Sequence, residues 1–284
     1  MSRNRRRLFV SATARSGVWL MAAIALLPLA LVLLHTVTNG LPAALSVNFY
    51  THVERPVGIP GSGVSHALTG TLVMVGIASL LAIPVGVLGG IHLVEYGGGQ
   101  LPRGIRLAAD VLVGTPSIAV GLFIYAIAVA PFHHFSALSG AIALAVLMLP
   151  IVLRTTESAI ALVPNGIREA GLALGLPRWR VALQLILPAA APGVLTGCLL
   201  AVARAAGETA PLIFTAFGNR FYTLDPTQQM SALPLIVYHD ALTPYEDLVR
   251  QAWGAALLLV ALTLFTNVLS RLALRRQIAL AGGQ

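Results

Sequence analysis

Residues 163–197 read VPNGIREAGLALGLPRWRVALQLILPAAAPGVLTG and lie between two long apolar segments. Their polar residues are few and grouped: Arg168 with Glu169, then Arg178 and Arg180 around Trp179. Asn165 follows Pro164 and is placed to cap a helix whose first turn holds Glu169, where a carboxylate suits the positive end of the dipole. Gly175 is placed to end that helix, and Pro177 to open a second that runs to Pro188. The stretch predicts a pair of short helices outside the lipid, joining two spans.

Composition sets the surroundings. The 284 residues are 57 % hydrophobic and 10 % charged, against roughly 25 % charged in soluble domains. The chain reads as a polytopic, all-α membrane protein. A single cysteine, Cys198, rules out an internal disulfide framework and any cysteine-based metal site. The net charge of +8 comes from arginines scattered between apolar segments, with no basic stripe, so it points to membrane orientation and away from nucleic acid. All 18 basic residues are arginine. Without lysine the chain cannot build a P-loop or a Schiff base, so any ATP-derived energy must come from another subunit. No G-x-S-x-G or H-E-x-x-H run is present either.

Taken in order, the chain predicts six spans. Residues 1–16 form a basic tail with five arginines and no acid. Residues 17–38 form the first helix, whose apolar run is long enough for a bilayer core of ~30 Å. It reads as an uncleaved span, because a signal-peptide core is shorter, roughly 7 to 15 residues. Residues 39–65 read as an external loop, and its Gly58-Ile59-Pro60-Gly61-Ser62-Gly63 run lacks the lysine of a phosphate cradle. His66 to Val94 is the second span, with Gly70, Gly76, Gly86, Gly89 and Gly90 suited to close helix approach in lipid.

Ile105 to Ala130 is the third span, loosened at Gly114-Thr115-Pro116-Ser117 because proline removes a hydrogen bond that nearby hydroxyls partly replace. A broken helix at membrane depth can line a solute pathway or serve packing alone. The short turn after it carries His133 and His134, a poor chelating pair. Leu138 to Leu153 is the fourth span, and Arg154 and Glu157 at its inner end stand i,i+3 and are expected to pair. Gly193 to Phe217 is the fifth span, Asn219 to Arg250 a polar external segment, and Trp253 to Leu274 the sixth span before an inner tail over 272–284. This arrangement places 14 of the 18 arginines inside (positions 3, 5, 6, 7, 15, 103, 106, 154, 168, 178, 180, 271, 275 and 276), with both termini cytoplasmic.

Arg204 and Glu208 fall within the fifth span, where a charge costs about 2.5–3.5 kcal/mol on the insertion scale. At i,i+4 they can neutralise each other. Two readings follow: a structural pair tying this helix to a partner, or a pair along the solute route, with the guanidinium offering donors to an oxyanion.

The central stretch resembles the cytoplasmic coupling loop of importer-type ABC permeases, whose pattern is Glu-Ala-Ala, three residues, Gly, nine residues, Ile, one residue, Leu-Pro. Here Glu169, Ala170, Gly175, Leu187 and Pro188 match it, with Gly171 for the second alanine and Leu185 for isoleucine. The run Ala203-Arg204-Ala205-Ala206-Gly207-Glu208-Thr209-Ala210-Pro211-Leu212 and the Thr115-Pro116-Ser117 group resemble signatures of the phosphate branch, most like its PstA-type subunit. The resemblance implies a type I ABC importer permease fold in the bacterial inner membrane, with a core over 66–271 and a coupling loop over 163–190. It further implies half of a phosphate pathway involving Thr115, Ser117, Arg204, Glu208 and Thr209. Coupling would fall to Arg168, Glu169, Ala170, Gly175, Leu187 and Pro188, and Arg154 with Glu157 would form a structural or gating pair. Implied partners are a PstC-like permease, two ATPase copies and an external phosphate-binding protein; no cofactor or metal is implied. Alternatives are a sulfate or molybdate permease, an ATPase-independent channel or secondary carrier, and a membrane scaffold or sensor.

Overall fold

The computed structural model describes residues 3–59 and 61–281, and the side chains of 13–59 and 61–268. Pro60 and the arginines at 3, 5, 6, 7, 271, 275 and 276 therefore contribute no side-chain observations. Every regular element among the described residues is helical. Among the described residues five helices are long and apolar enough to cross a membrane, and six spans result if one sharply bent pair is counted as a span.

α1 (Arg3–Ala44) runs six residues past the predicted end at 38, so Asn39 and Pro42 are helical rather than the start of a loop. Its polar side chains bond within the helix, Thr36 Oγ1 donating to the Val32 carbonyl at 2.8 Å and Asn39 Nδ2 to that of His35 at 2.8 Å. Little of α1 is covered by protein. Its far end packs on α12 (Glu246–Ala281), where His35 meets Trp253 edge to face at 4.8 Å. Beyond a one-turn α2 (Val47–Thr51), the glycine run closes over Phe49: Ser62 Oγ donates to Gln251 Oε1 at 2.6 Å and Gln251 Nε2 to the Gly63 carbonyl at 3.3 Å.

The centre of the bundle is α3 (Ser65–Glu95) against α6 (Ala137–Ala161), the most extensive helix pair in the chain. A Cβ at Gly86 would stand 2.8 Å from Val152 Cβ, one at Gly90 2.7 Å from Thr156 Cβ, and one at Gly89 3.1 Å from Leu153 Cδ1. The small residues of the second span thus set the α3–α6 distance, as van der Waals packing in lipid requires. Two of the five do not take part: Gly70 meets Ser231 and Met230 instead of α6, and Gly76 has nothing within 4 Å. Ser136 caps α6 by accepting from Ser139 N at 3.1 Å. The next two amides of α6, Ala137 and Leu138, donate to the carbonyls of Gln228 and Pro226, so the late external segment completes the helix start.

The predicted third span is two helices, α4 (Gln100–Gly114) and α5 (Ser117–Ile124), the latter extended by a π turn and a 3-10 turn to Phe132; the two are bent by 105°. Thr115 between them is extended at φ −75°, ψ 133°, the backbone that a following proline enforces. Sequence predicts a local kink, and the corner is far sharper. α4 packs by Ala109 and Ile105 on Leu93 and Leu153, whereas α5 packs by Val120 and Ile124 on Ala143 and Leu147, nearer the start of α6.

The polar segment 219–250 also departs from expectation. Met230, Ser231, Ala232, Leu233, Leu235 and Ile236 are buried, and α11 (Leu233–Asp240) folds back between α3 and α12. Leu233 N donates to Thr71 Oγ1 at 2.9 Å, and Gly70 leaves room for the Ser231 carbonyl. An apolar run this short cannot span a bilayer, yet it fills the mouth of the bundle.

Candidate coupling site and transport pathway

After α6 the chain turns at Pro164 into α7 (Asn165–Ala173). Asn165 is not its cap: it is the first helical residue, the flanking residue is Pro164 with no side-chain cap bond, and Glu169 lies beyond the first turn. Proline at that position fixes φ, and its carbonyl accepts from Ile167 N at 3.2 Å. Asn165 Oδ1 instead accepts from Arg168 Nη1 at 3.2 Å. The end of α7 is as read. Gly175 has φ +77°, its N–H donates to the Leu172 carbonyl at 2.9 Å, and Leu176 N donates to that of Gly171 at 3.2 Å, a Schellman closure that glycine suits.

The second short helix does not stop at Pro188. α8 (Arg178–Arg180) passes through a π turn (Val181–Ile186) into α9 (Leu187–Ala206), so residues 178–206 form one continuous rod. Pro188 lacks an N–H, and its ring would crowd a carbonyl of the preceding α turn; the widened π turn accommodates it without ending the helix. Leu187 and Pro188 therefore mark the base of the fifth span, not the end of a surface helix. α7 lies against this base. A Cβ at 171 would fall 2.7 Å from Leu185 Cδ1 and 2.9 Å from Val181 Cγ2. Gly171 and Leu185, the two departures from the coupling-loop pattern, face each other: the smaller residue makes room for the longer one.

Arg168 fastens the loop. Its Nε donates to Glu95 Oε1 at 2.9 Å, Nη1 to the Val163 carbonyl at 2.8 Å and Nη2 to the Ile160 carbonyl at 3.1 Å. One guanidinium thus joins α7 to the last residue of α3 and to the final turn of α6, and the Arg168 and Glu95 side chains are only 18 % and 12 % exposed. Beside it, Arg106 Nε and Arg154 Nη1 each donate to Glu157 at 2.6 Å, Arg106 Nη2 reaches the Leu93 carbonyl at 2.8 Å, and Arg154 Nε lies 3.2 Å from Asp110. The Arg154–Glu157 pair expected from spacing is one edge of a four-residue network that also holds α4. Outward from this end face Glu169, Ala170 and Gly175, with Leu174 80 % and Trp179 52 % exposed. Exposed apolar residues among arginines at a bundle end are an interaction surface by composition.

Arg204 lies in the last turn of α9, which closes at Gly207, and Glu208 lies in the break before α10 (Ala210–Thr215). The fifth span is therefore not one helix to Phe217. The pair meets across the break, Arg204 Nε donating to Glu208 Oε1 at 3.3 Å, with 53 % of the arginine side chain exposed. So open a charge is weakly held by this pair. The helices after the two breaks pack together, with Gly121 of α5 closely apposed to Pro211 of α10. Thr115 Oγ1 donates back to the Val111 carbonyl at 2.8 Å, Ser117 opens α5, and the Thr209 carbonyl accepts from the Leu212 and Ile213 amides of α10. Among the described residues no group of three His, Cys, Asp or Glu is placed to hold a metal, His133 and His134 included.

Residues 82–278 match the family model described as "Binding-protein-dependent transport system inner membrane component". The chain belongs to this family. Its curated relatives include the "Phosphate transport system permease protein PstA" of Yersinia pestis, 42 % identical over 241 residues, covering 84 % of this chain and 81 % of that protein. The protein of the same name from Haemophilus influenzae is 41 % identical over 242 residues, 85 % of each. Among solved structures, a chain of the MetNI methionine ABC transporter in an inward-facing conformation superposes with a TM-score of 0.60 at 20 % identity, covering 75 % of this chain and 94 % of that one. A chain of a bacterial alginate ABC transporter gives 0.57 at 13 %, covering 95 % and 96 %. These two carry the fold: this permease has the type I ABC importer architecture expected from its coupling-loop pattern.

Sequence reading missed the partners that make the site. Glu95 and Asp110 carry no ion-pair signal in sequence, since no spacing rule links residue 95 to residue 168; a glutamate at the end of an apolar span is the available signal.

Proposed function

We propose that this permease forms one half of the membrane pathway of an ATP-driven importer of inorganic phosphate, the substrate in its curated relatives' name. The observation that carries the ATP-driven part is the geometry of α7: it exposes Glu169, Leu174 and the neighbouring Trp179 while Arg168 locks it to α3 and α6. A force applied there is delivered to the centre of the bundle, and not only to the helices adjoining in sequence. Two ATPase copies bind at this end in our account, contacting Glu169, Ala170 and Gly175, with Leu187 and Pro188 carrying the motion into the fifth span. This end is cytoplasmic, as are both termini, in keeping with the arginine distribution.

The exposed guanidinium of Arg204, with Glu208, Thr209, Thr115 and Ser117, faces a PstC-like second permease and completes an anion route between the two halves. The five-helix core runs over 66–271, with the first helix at its side. An external phosphate-binding protein delivers the anion and sets most of its specificity.

Reconstitution of the full complex in liposomes tests this reading. Phosphate uptake should require enclosed ATP, the ATPase subunits and the binding protein, and excess sulfate or molybdate should leave it unchanged. Arg204→Ala should cut uptake at least tenfold in an assembled complex. Uptake without the ATPase subunits would make the chain a channel or carrier, and displacement by sulfate would move it to another oxyanion class.

A further inference from the structure

The end of the bundle away from the coupling loop holds a site that the pathway does not use. α3 separates the two, since its 31 residues span about 46 Å at the helical rise. A hollow of about 400 Å³ opens there, lined by Glu54, Asn219, Arg220, Ser231, His239 and Asp240 among others. Asp240 is the last residue of α11 and only 3 % exposed, and its Oδ2 is buried without a hydrogen-bond partner. A carboxyl at a helix C-terminus also meets the negative end of the dipole. Glu54, whose side chain is 5 % exposed, lies in the same wall and is paired with Arg220 Nε at 3.0 Å.

Two buried carboxyls and a helix C-terminus thus have one nearby arginine, which is paired with Glu54, acts on Asp240 only by its charge, and has a side chain 71 % exposed at the mouth. With Asp240 ionised, the hollow is short of one positive charge. Burial, then the Arg220 charge, pushes His239 down, which makes it a poor source of that charge. His66, buried at the start of α3, has neither ring nitrogen bonded. Arg55 lies beside Gly61, and the charges at the start of α12, Glu246, Asp247 and Arg250, line other hollows. A metal is a poor occupant, because no three ligating side chains converge among the described residues.

We propose that this hollow receives a single arginine or lysine side chain of the protein that docks on this end, which ion-pairs with Asp240. The proposal rests on the reading that a binding protein docks opposite the coupling loop. Burial, and next the Glu54 charge, raises the Asp240 carboxyl to about 7, with Arg220 opposing. Unoccupied, the site therefore keeps a proton on Asp240 through the acid side of neutrality. An arriving cation favours the carboxylate and releases that proton, so docking strengthens as pH rises, by up to about tenfold per pH unit below the transition.

The test is the affinity of the purified complex, in lipid nanodiscs, for its phosphate-loaded binding protein from pH 5.5 to 8.5. Affinity should rise with pH and level off above about 7. Asp240→Asn should weaken docking and flatten the profile. Glu54→Gln removes a charge that holds the proton on Asp240, so it should move the transition to lower pH, a change that loss of packing would not produce. Methylguanidinium should compete better than sodium at equal ionic strength; equal competition would reduce the effect to charge screening and overturn the proposal. Asp240→Asn complexes that import and keep the parent profile would overturn it as well. A parent complex that binds no such protein at any pH would instead overturn the importer reading on which it stands.

Discussion

At the scale of single residues, Arg168 does most to make the loop part of the bundle. Four acceptors around one guanidinium require a planar fork, which lysine lacks. Arg168→Lys should therefore behave much like Arg168→Ala, destabilising the loop by about 3 kcal/mol, the lower end for a buried pair, and lowering phosphate uptake per ATP hydrolysed; parallel assays of hydrolysis and uptake read this ratio. Gly171 offers a cleaner packing test. Gly171→Ala should cost about 1 kcal/mol by crowding Leu185, and Gly171→Ala with Leu185→Val should recover most of it, read as thermal midpoints of the assembled complex. Asp240 predicts a pH effect on stability. Its carboxyl is raised to about 7 from 3.8, so the folded chain holds a proton that the unfolded chain has lost between those values. Stability should fall as pH rises through that window and level off above it, whereas Asp240→Asn should show a flatter thermal-midpoint profile.

At the scale of elements, the breaks matter more than the spans. Pro116 holds Thr115 extended and turns α4 away from α5 by 105°. Pro116→Ala should let the two helices run closer to straight, separate Gly121 from Pro211, and reduce uptake while leaving assembly intact; a cysteine pair at 121 and 211 that no longer cross-links in the variant would report the change. What the sequence could show here follows from range. Gly175 as a helix stop, Gly70, Gly86, Gly89 and Gly90 of α3 as close-packing positions and the Arg154–Glu157 pair are local or periodic features that appear in the structure where their spacing puts them, whereas Gly76 of the same set packs against nothing. The continuation of the rod through Pro188, the burial of 230–236 and the Arg168–Glu95 pair depend on elements far apart in sequence. Proline rules alone end a helix at 188, because they take no account of a π turn that makes room for the ring. Hydropathy alone leaves 230–236 in a loop, because it measures length against a bilayer and not against a cavity that α3, α6 and α12 leave open.

At the scale of the whole molecule, the chain is asymmetric along its axis. One end carries a tightly bonded ionic frame and an exposed apolar knob; the other carries a polar hollow, and the weak Arg204–Glu208 pair sits at a break in the fifth span. A machine that takes force at one end and cargo at the other needs that division. Its central claim is that Glu169, Leu174 and Trp179 lie on the cytoplasmic side, in the grip of an ATPase. The direct measurement places one cysteine at Trp179 in a Cys198→Ser background and labels it with a membrane-impermeant maleimide in oriented vesicles, with and without the ATPase subunits. Labelling only from the cytoplasmic side, and its suppression when the ATPases are bound, is the result this account predicts. Labelling from the outside, or labelling indifferent to the ATPases, would contradict it.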